Sequence, residues 1–215
     1  MAGAGLSGAA PGGPGAGVGV HDGSARIGPN AITQLAAALE ARHGAAFTGR
    51  ILESAGLGRY REAPPAAMVP ESEVTSLHVA LRAALDPAGC ATVCRDAGER
   101  TGDYLLANRI PRAAQAVLRL LPAPLASRAL LAAIGRHAWT FAGSGRFTAE
   151  PGTPLVLSIR GCALCRGAAL GAPGCVYYAA TFERLYRALV APAARVSEVS
   201  CEACGADACR FEVRW

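Results

Sequence analysis

Six cysteines in the last third of the chain constrain its fold more than any other feature: Cys162-x2-Cys165, Cys175, and Cys201-x2-Cys204 with Cys209. Two cysteines three positions apart can present both thiols to one side of a turn, as tetrahedral metal sites require. The first pair follows a strand-like run in which Leu155, Leu157 and Ile159 alternate. Cys175 precedes a helical pattern in which Phe182, Leu185, Tyr186 and Leu189 recur at i, i+3, i+4 and i+7. The last three lie on a closing hairpin, with strands near 194–201 and 208–214 around the turn-rich Cys204-Gly205-Ala206-Asp207.

Such cysteines either form disulfides or bind a metal as thiolates. The first arginine is Arg26, and the leading segment is rich in Gly, Ala and Pro rather than Leu. The expectation is therefore a chain kept in the reducing cytoplasm, where paired cysteines bind metal. Zinc takes four ligands, and two sets compete. A ribbon-like site would use Cys162, Cys165, Cys201 and Cys204, two pairs separated by 35 residues. The alternative takes Cys175, Cys201 and Cys209 with a carboxylate, Glu198 being nearest. Spacing alone leans to the first set, and an iron–sulfur cluster is a third reading. Cys90 and Cys94 share one face of a helix and read as core packing.

Elsewhere the pattern is helical. Pro29 suits a first helical turn, with Ile32, Leu35 and Leu39 on one face, and a second short helix after His43 turns Phe47, Ile51 and Leu52 inward. Pro64, Pro65 and Pro70 mark a loop. Val74, Leu77, His78, Leu81 and Leu85 then keep helical spacing, and His78 reads as a satisfied core histidine. Pro87 opens a helix with Val93, Ala97, Thr101, Tyr104 and Leu105 inside. Two helical pieces follow, 112–121 and 124–141, before a strand pair at 146–150 and 155–160. Helices first, then a strand pair, a helix and a strand pair, predict an α+β fold with an antiparallel sheet. Residues 1–25 are low in complexity and read as a disordered tail. Their Gly-x-Gly runs follow no strand and so carry no dinucleotide fingerprint. Residues 26–215 read as a single domain.

Hydrophobic residues make up 52% of the chain, enough for a core, but Arg or Pro interrupts the apolar stretches of 113–142. No transmembrane span is expected. The net charge of +5 comes from Arg alone, there being no Lys. Arg82, Arg100, Arg119, Arg136, Arg160 and Arg184 are dispersed, and aromatics are only 6%. Nucleic-acid binding would call for clustered Arg interleaved with aromatics and is not expected.

The segments "CVYYAATFERLYRALV" and "RVSEVSCEACGADACRFEV", which carry Cys, helix, Glu-x2-Cys-x7-Cys-x-Phe, resemble the 4-vinyl reductase domain. More closely, the chain resembles the bacteriochlorophyll 4-vinyl reductase-like proteins of phototrophic bacteria, most strongly over 155–215. The resemblance implies a helical N-terminal half with an antiparallel sheet, related to haem nitric-oxide-binding and vesicle-tethering subunit folds and often dimeric. It also implies a structural zinc held by Cys175, Glu198, Cys201 and Cys209, against the lean of spacing. Cys162, Cys165 and Cys204 depart from that minimal pattern.

The family name implies reduction of a vinyl group on a chlorophyll precursor. That chemistry needs a hydride or electron source, whereas zinc is redox-silent and no strand–GxGxxG–helix unit is present. No catalytic residue is assigned. The expected role is an accessory protein that binds or carries a magnesium tetrapyrrole, working with enzymes of the magnesium-porphyrin branch. It would be cytoplasmic or peripheral at the photosynthetic membrane. The alternatives are the vinyl reductase itself and a small-molecule-sensing regulatory module. Candidate ligand-binding residues are His137, able to ligate magnesium, with Trp139, Phe141 and Arg136; Arg146 is a further partner for a propionate.

Overall fold

The computed structural model describes residues 25–215. The tail reading falls on residues 1–24, outside the described residues, apart from Ala25, whose carbonyl accepts a hydrogen bond from the Glu71 N–H. The helical half holds α1 (Asn30–Ser54), α2 (Glu71–Ala84), α3 (Pro87–Asn108), α4 (Arg112–Leu120), α5 (Ala123–Arg136) and α6 (Trp139–Ala142). A two-residue ladder of β1 (Arg26–Ile27) and β2 (Val69–Pro70), too short for any periodicity, closes the loop ahead of α2. The two helices expected on either side of His43 are one run with a kink at Gly44, where φ is +81° and a side chain would be strained. The expected 124–141 helix is divided, because His137 leaves helical geometry and α6 restarts two residues later.

The second half contains β3 (Arg146–Glu150), β4 (Leu155–Arg160), α7 (Val176–Leu189), β5 (Arg195–Ser200) and β6 (Cys209–Arg214). The four strands form one antiparallel sheet in the order β3-β4-β6-β5. Both hairpins follow from local pattern, but their joining through β4 and β6 does not. It is fixed by inner faces on which Leu155, Leu157, Ile159, Phe211 and Val213 are all buried. The fold is α+β, with helices ahead of an antiparallel sheet.

α7 is the keel between the halves. Toward the sheet, Tyr178 and Phe182 pack with Phe211, Phe141 and Phe147. Toward α3 it meets the buried Gly98, Thr101 and Gly102 of that helix. A Cβ on Gly98 would lie 2.3 Å from the Tyr177 carbonyl oxygen and 2.8 Å from the Ala180 Cβ. Only glycine allows the two backbones this approach. Tyr177 and Thr101 seal the contact with a 2.7 Å hydroxyl–hydroxyl bond.

A polar latch, unannounced by the sequence, ties α2 to the first cysteine pair. The buried Glu71 accepts from the Ser144 N–H at 2.8 Å, the Ser144 hydroxyl at 2.7 Å and Arg166 at 2.6 Å. Arg166 also donates to the Gly161 carbonyl at 2.9 Å. Burial works to raise the Glu71 carboxyl, but the bonds from Arg166 and Ser144 outweigh it and hold the group below the ordinary carboxylate range.

Candidate metal centre

Three pieces of backbone geometry assemble the cysteines. The β4–β6 register sets Cys209 opposite Ile159, so the first residue of β6 stands beside the loop that carries Cys162 and Cys165. A bulge between Glu198 and Ser200 bends β5 just before Cys201. Cys175 occupies the N-cap of α7. Glu202 pins the first pair from the second, accepting from the Gly161 N–H at 2.6 Å and the Cys162 N–H at 2.8 Å. The N–H of Glu202 itself points at the Cys209 sulfur, 3.5 Å away.

Five sulfurs converge. Sγ–Sγ separations are 3.6 Å for Cys162–Cys175, 3.5 Å for Cys165–Cys209 and 3.7 Å for Cys175–Cys209. Cys201 lies 3.9 Å from Cys175 and 3.8 Å from Cys209. A tetrahedral ion with bonds of about 2.3 Å to sulfur needs ligands about 3.8 Å apart, and these edges match. All five cysteines are buried.

Two groups have ligand atoms within 4.8 Å of one another: Cys162, Cys165, Cys175 and Cys209; and Cys175, Glu198, Cys201 and Cys209. Either is close enough to hold a metal ion. The ribbon-like set is not assembled, because Cys204 is exposed and belongs to neither group. Its turn is closed by the Cys204 N–H bonding the Cys201 carbonyl. The set carried over from the resemblance is one of the two that the fold brings together. The second, with the Cys162–Cys165 pair, was missed as a combination. Its signal was the pair's place directly after a buried strand.

The donor chemistry fits a cation. Glu198 accepts from the Cys175 N–H at 2.6 Å through Oε2, while Oε1 is buried with no hydrogen-bond partner among the described residues. Burial, and then the adjacent Cys201 sulfur, push the Glu198 carboxyl up to about 8. A divalent cation would reverse that shift by favouring both ionised forms. Bonds with Cys162 first, then Cys175, Cys201 and Cys209, hold the Cys165 thiol low, while Cys175 and Cys209 are pushed up. The bond with Cys165 works to raise the Cys201 thiol, but those with Cys175 and Cys209 outweigh it and bring it to about 6. Positive charge would favour the ionised form of every thiol in the cluster.

Cys94 is buried, and burial pushes its thiol up to about 12; Cys90 is half-buried against the Leu81 and Leu85 carbonyls, each 3.6 Å away. Both belong to packing. His78 is buried as expected but is not satisfied: its Nε2 has no partner among the described residues. Burial, and then Arg82, drive it down to about 3, so it is neutral.

The ligand-binding candidates cluster at the α5–α6 junction. Arg136 and His137 are exposed, Trp139 is 61% exposed, and Phe141 turns inward against Phe147, Tyr178 and Phe182. Arg146 is exposed on β3. A cavity of about 540 Å³ opens elsewhere, lined by Ile32, Ala36, Thr48, Leu52, Tyr60 and Arg61. A smaller one of about 300 Å³ lies by Arg42, Asp96 and Val176. The candidates line neither.

Residues 155–215, the segment holding every cysteine of the cluster, match the 4-vinyl reductase domain family. Over 188 residues the chain is 47% identical to the bacteriochlorophyll synthase 23 kDa chain of Cereibacter sphaeroides, covering 87% of this chain and 90% of that one. The chain belongs to the 4-vinyl reductase domain family. A second relative in this family, the bacteriochlorophyll synthase 23 kDa chain of Rhodobacter capsulatus, is 42% identical over 206 residues, covering 96% of this chain and 92% of its own. Among solved structures, this 4-vinyl reductase-like chain is similar to an Fe(II) unliganded mutant H-NOX protein from K. algicida. The TM-score is 0.58 at 12% identity, over 87% of this chain and 96% of that one. At that identity the likeness shows the fold, which is related to the H-NOX fold. No helix among the described residues is long and apolar enough to cross a membrane.

Proposed function

We propose that this member of the 4-vinyl reductase domain family serves bacteriochlorophyll synthesis by binding and handing on a magnesium tetrapyrrole, with a structural zinc ion at Cys175, Glu198, Cys201 and Cys209. The observation that carries the reading is its 47% identity, along nearly the whole chain, to a bacteriochlorophyll synthase 23 kDa chain. The zinc would close the C-terminal sheet over the start of α7 rather than take part in redox chemistry.

The α5–α6 junction supplies the polar and aromatic groups for the pigment. His137 Nδ1 lies 2.9 Å from the Ala133 carbonyl, which can only accept, so Nδ1 carries the proton. The lone pair is then on Nε2, the form needed to ligate magnesium. Trp139 offers a flat exposed ring beside it, and Arg136 offers a cation for a carboxylate side chain. The partners would be the enzymes that make and modify the magnesium porphyrin.

An absorbance titration of the purified protein with magnesium-protoporphyrin and protochlorophyllide tests the reading. A shifted Soret band saturating at one pigment per chain is expected, with His137→Ala weakening it at least about tenfold. An unshifted band for every pigment would sink it. Multiple-turnover conversion of a divinyl to a monovinyl pigment by the protein alone would replace it with the reductase reading.

A further inference from the structure

The cluster holds more donors than one zinc ion can use. Five thiols and one carboxylate converge, and the two groups share Cys175 and Cys209. No single group contains both the Cys162–Cys165 pair and the Cys201–Glu198 pair. The six donors therefore divide as two, two shared, and two. Two tetrahedra joined along an edge have six corners, divided in this same way. The Cys175–Cys209 separation of 3.7 Å is the shared edge, and its neighbours at 3.5–3.6 Å on one side and 3.8–3.9 Å on the other are near tetrahedral length.

We infer that this centre binds two divalent d10 ions, bridged by the Cys175 and Cys209 thiolates. Cys162 and Cys165 complete one ion, and Cys201 and Glu198 complete the other. The second ion goes beyond the structural zinc proposed above and rests on that reading for the shared ligands.

Two observations independent of the sulfur distances support it. The first is the loop carrying the extra pair. It is already set in its turn by Glu202, which takes both the Gly161 and Cys162 N–H groups, and by Arg166 on the Gly161 carbonyl. This is the supporting shell a ligand loop requires. The second is charge. Six ionised donors around two divalent ions leave an excess of two negative charges, which needs cationic or donor groups close by. Arg82 donates through Nη1 to the Leu164 carbonyl, between the two cysteines, at 2.9 Å, while its Nη2 is buried with no hydrogen-bond partner among the described residues. His78, one helical turn earlier, is likewise buried with Nε2 without a partner among the described residues. The Arg82 guanidinium thus lies on the Cys162–Cys165 side, where the second ion would sit.

Native mass spectrometry of the full chain, purified from zinc-supplemented medium, tests this directly. Two zinc ions per chain are expected, falling to one in Cys162→Ser/Cys165→Ser and to none in Cys209→Ser. Cobalt(II) titration of the metal-free wild type is a second readout that needs no variant. The sulfur-to-cobalt charge-transfer absorbance should rise through two equivalents, and the magnetic moment per cobalt should fall as the second enters, because shared thiolates couple the ions. Saturation at one equivalent, with the double variant still holding one zinc, overturns the second ion and leaves the structural zinc intact. No metal in the wild type overturns both.

Discussion

The helical half and the sheet half bury their interiors by different chemistry. In residues 25–142 the inward side chains are mostly aliphatic, and α3 meets α7 through Gly98, Thr101 and Gly102, so contact rests on backbone proximity and excluded water. In residues 146–215 the interior is aromatic on one side of α7 and sulfur-rich at its start, where five thiols and a carboxylate lie within a few ångströms. An aliphatic interface loses stability in proportion to the contact removed. A donor cluster is all-or-none, because losing a shared ligand leaves the others as buried charges or orphaned acceptors. The two halves should therefore respond very differently to single changes.

The largest effect is expected at Cys209. Structural zinc contributes roughly 10–16 kcal/mol to small zinc-dependent modules, and Cys209 belongs to both donor groups. Cys209→Ser should lose the bound metal and the cooperative melting of the C-terminal half, as should a strong chelator on the wild type. Elemental analysis with thermal denaturation checks this. A variant that melts like the wild type would erase the contrast between the halves.

Gly98→Ala tests the helical half on its own terms. The added methyl meets the Tyr177 carbonyl and Ala180, and overpacking of this kind costs about 1–3 kcal/mol. Because the obstruction includes backbone, the upper end is expected, with metal content unchanged. Denaturant unfolding read alongside zinc content separates the two.

Glu71 sharpens the comparison at the junction. Its carboxyl is depressed in the folded state, so its stabilisation is fully present above the ordinary value of 4.5 and is lost as pH falls through the lower folded value. Glu71→Gln should cost about 2–3 kcal/mol at neutral pH, because Arg166 and Ser144 lose their ionised acceptor. It should also flatten the decline of stability below pH 4.5. Unfolding curves measured across the acid range test both, and an unchanged slope would remove Glu71 from the latch.

The smallest effect belongs to Cys204. It is exposed and outside both donor groups, so Cys204→Ser should shift stability by less than about 0.5 kcal/mol and leave metal content as it was. Loss of metal in that variant would restore the ribbon-like set.

Much of this molecule was legible before any coordinates. The i, i+3, i+4 recurrence of Phe182, Leu185, Tyr186 and Leu189 predicts α7, and the alternation of Leu155, Leu157 and Ile159 predicts β4. Both depend on interactions within a few residues, which local sequence specifies. Cys175, Glu198, Cys201 and Cys209 can be named together only through the resemblance to the 4-vinyl reductase domain, since spacing by itself leans to Cys162, Cys165, Cys201 and Cys204. By contrast, the place of Cys162 and Cys165 beside Cys209 depends on the β4–β6 register, which pairs residues some fifty positions apart. No local spacing encodes that register; the fit of Leu157 and Ile159 with Phe211 against α7 selects it. The same distance hid the latch of Glu71 to Arg166, 95 residues on. It also hid why Cys204, equal to Cys201 in spacing, turns to solvent while Cys201 turns in. Periodicity and motif spacing determine the elements and the kinds of donor they carry. Which donors share one buried volume is decided only when the faces of distant elements close on one another and exclude water.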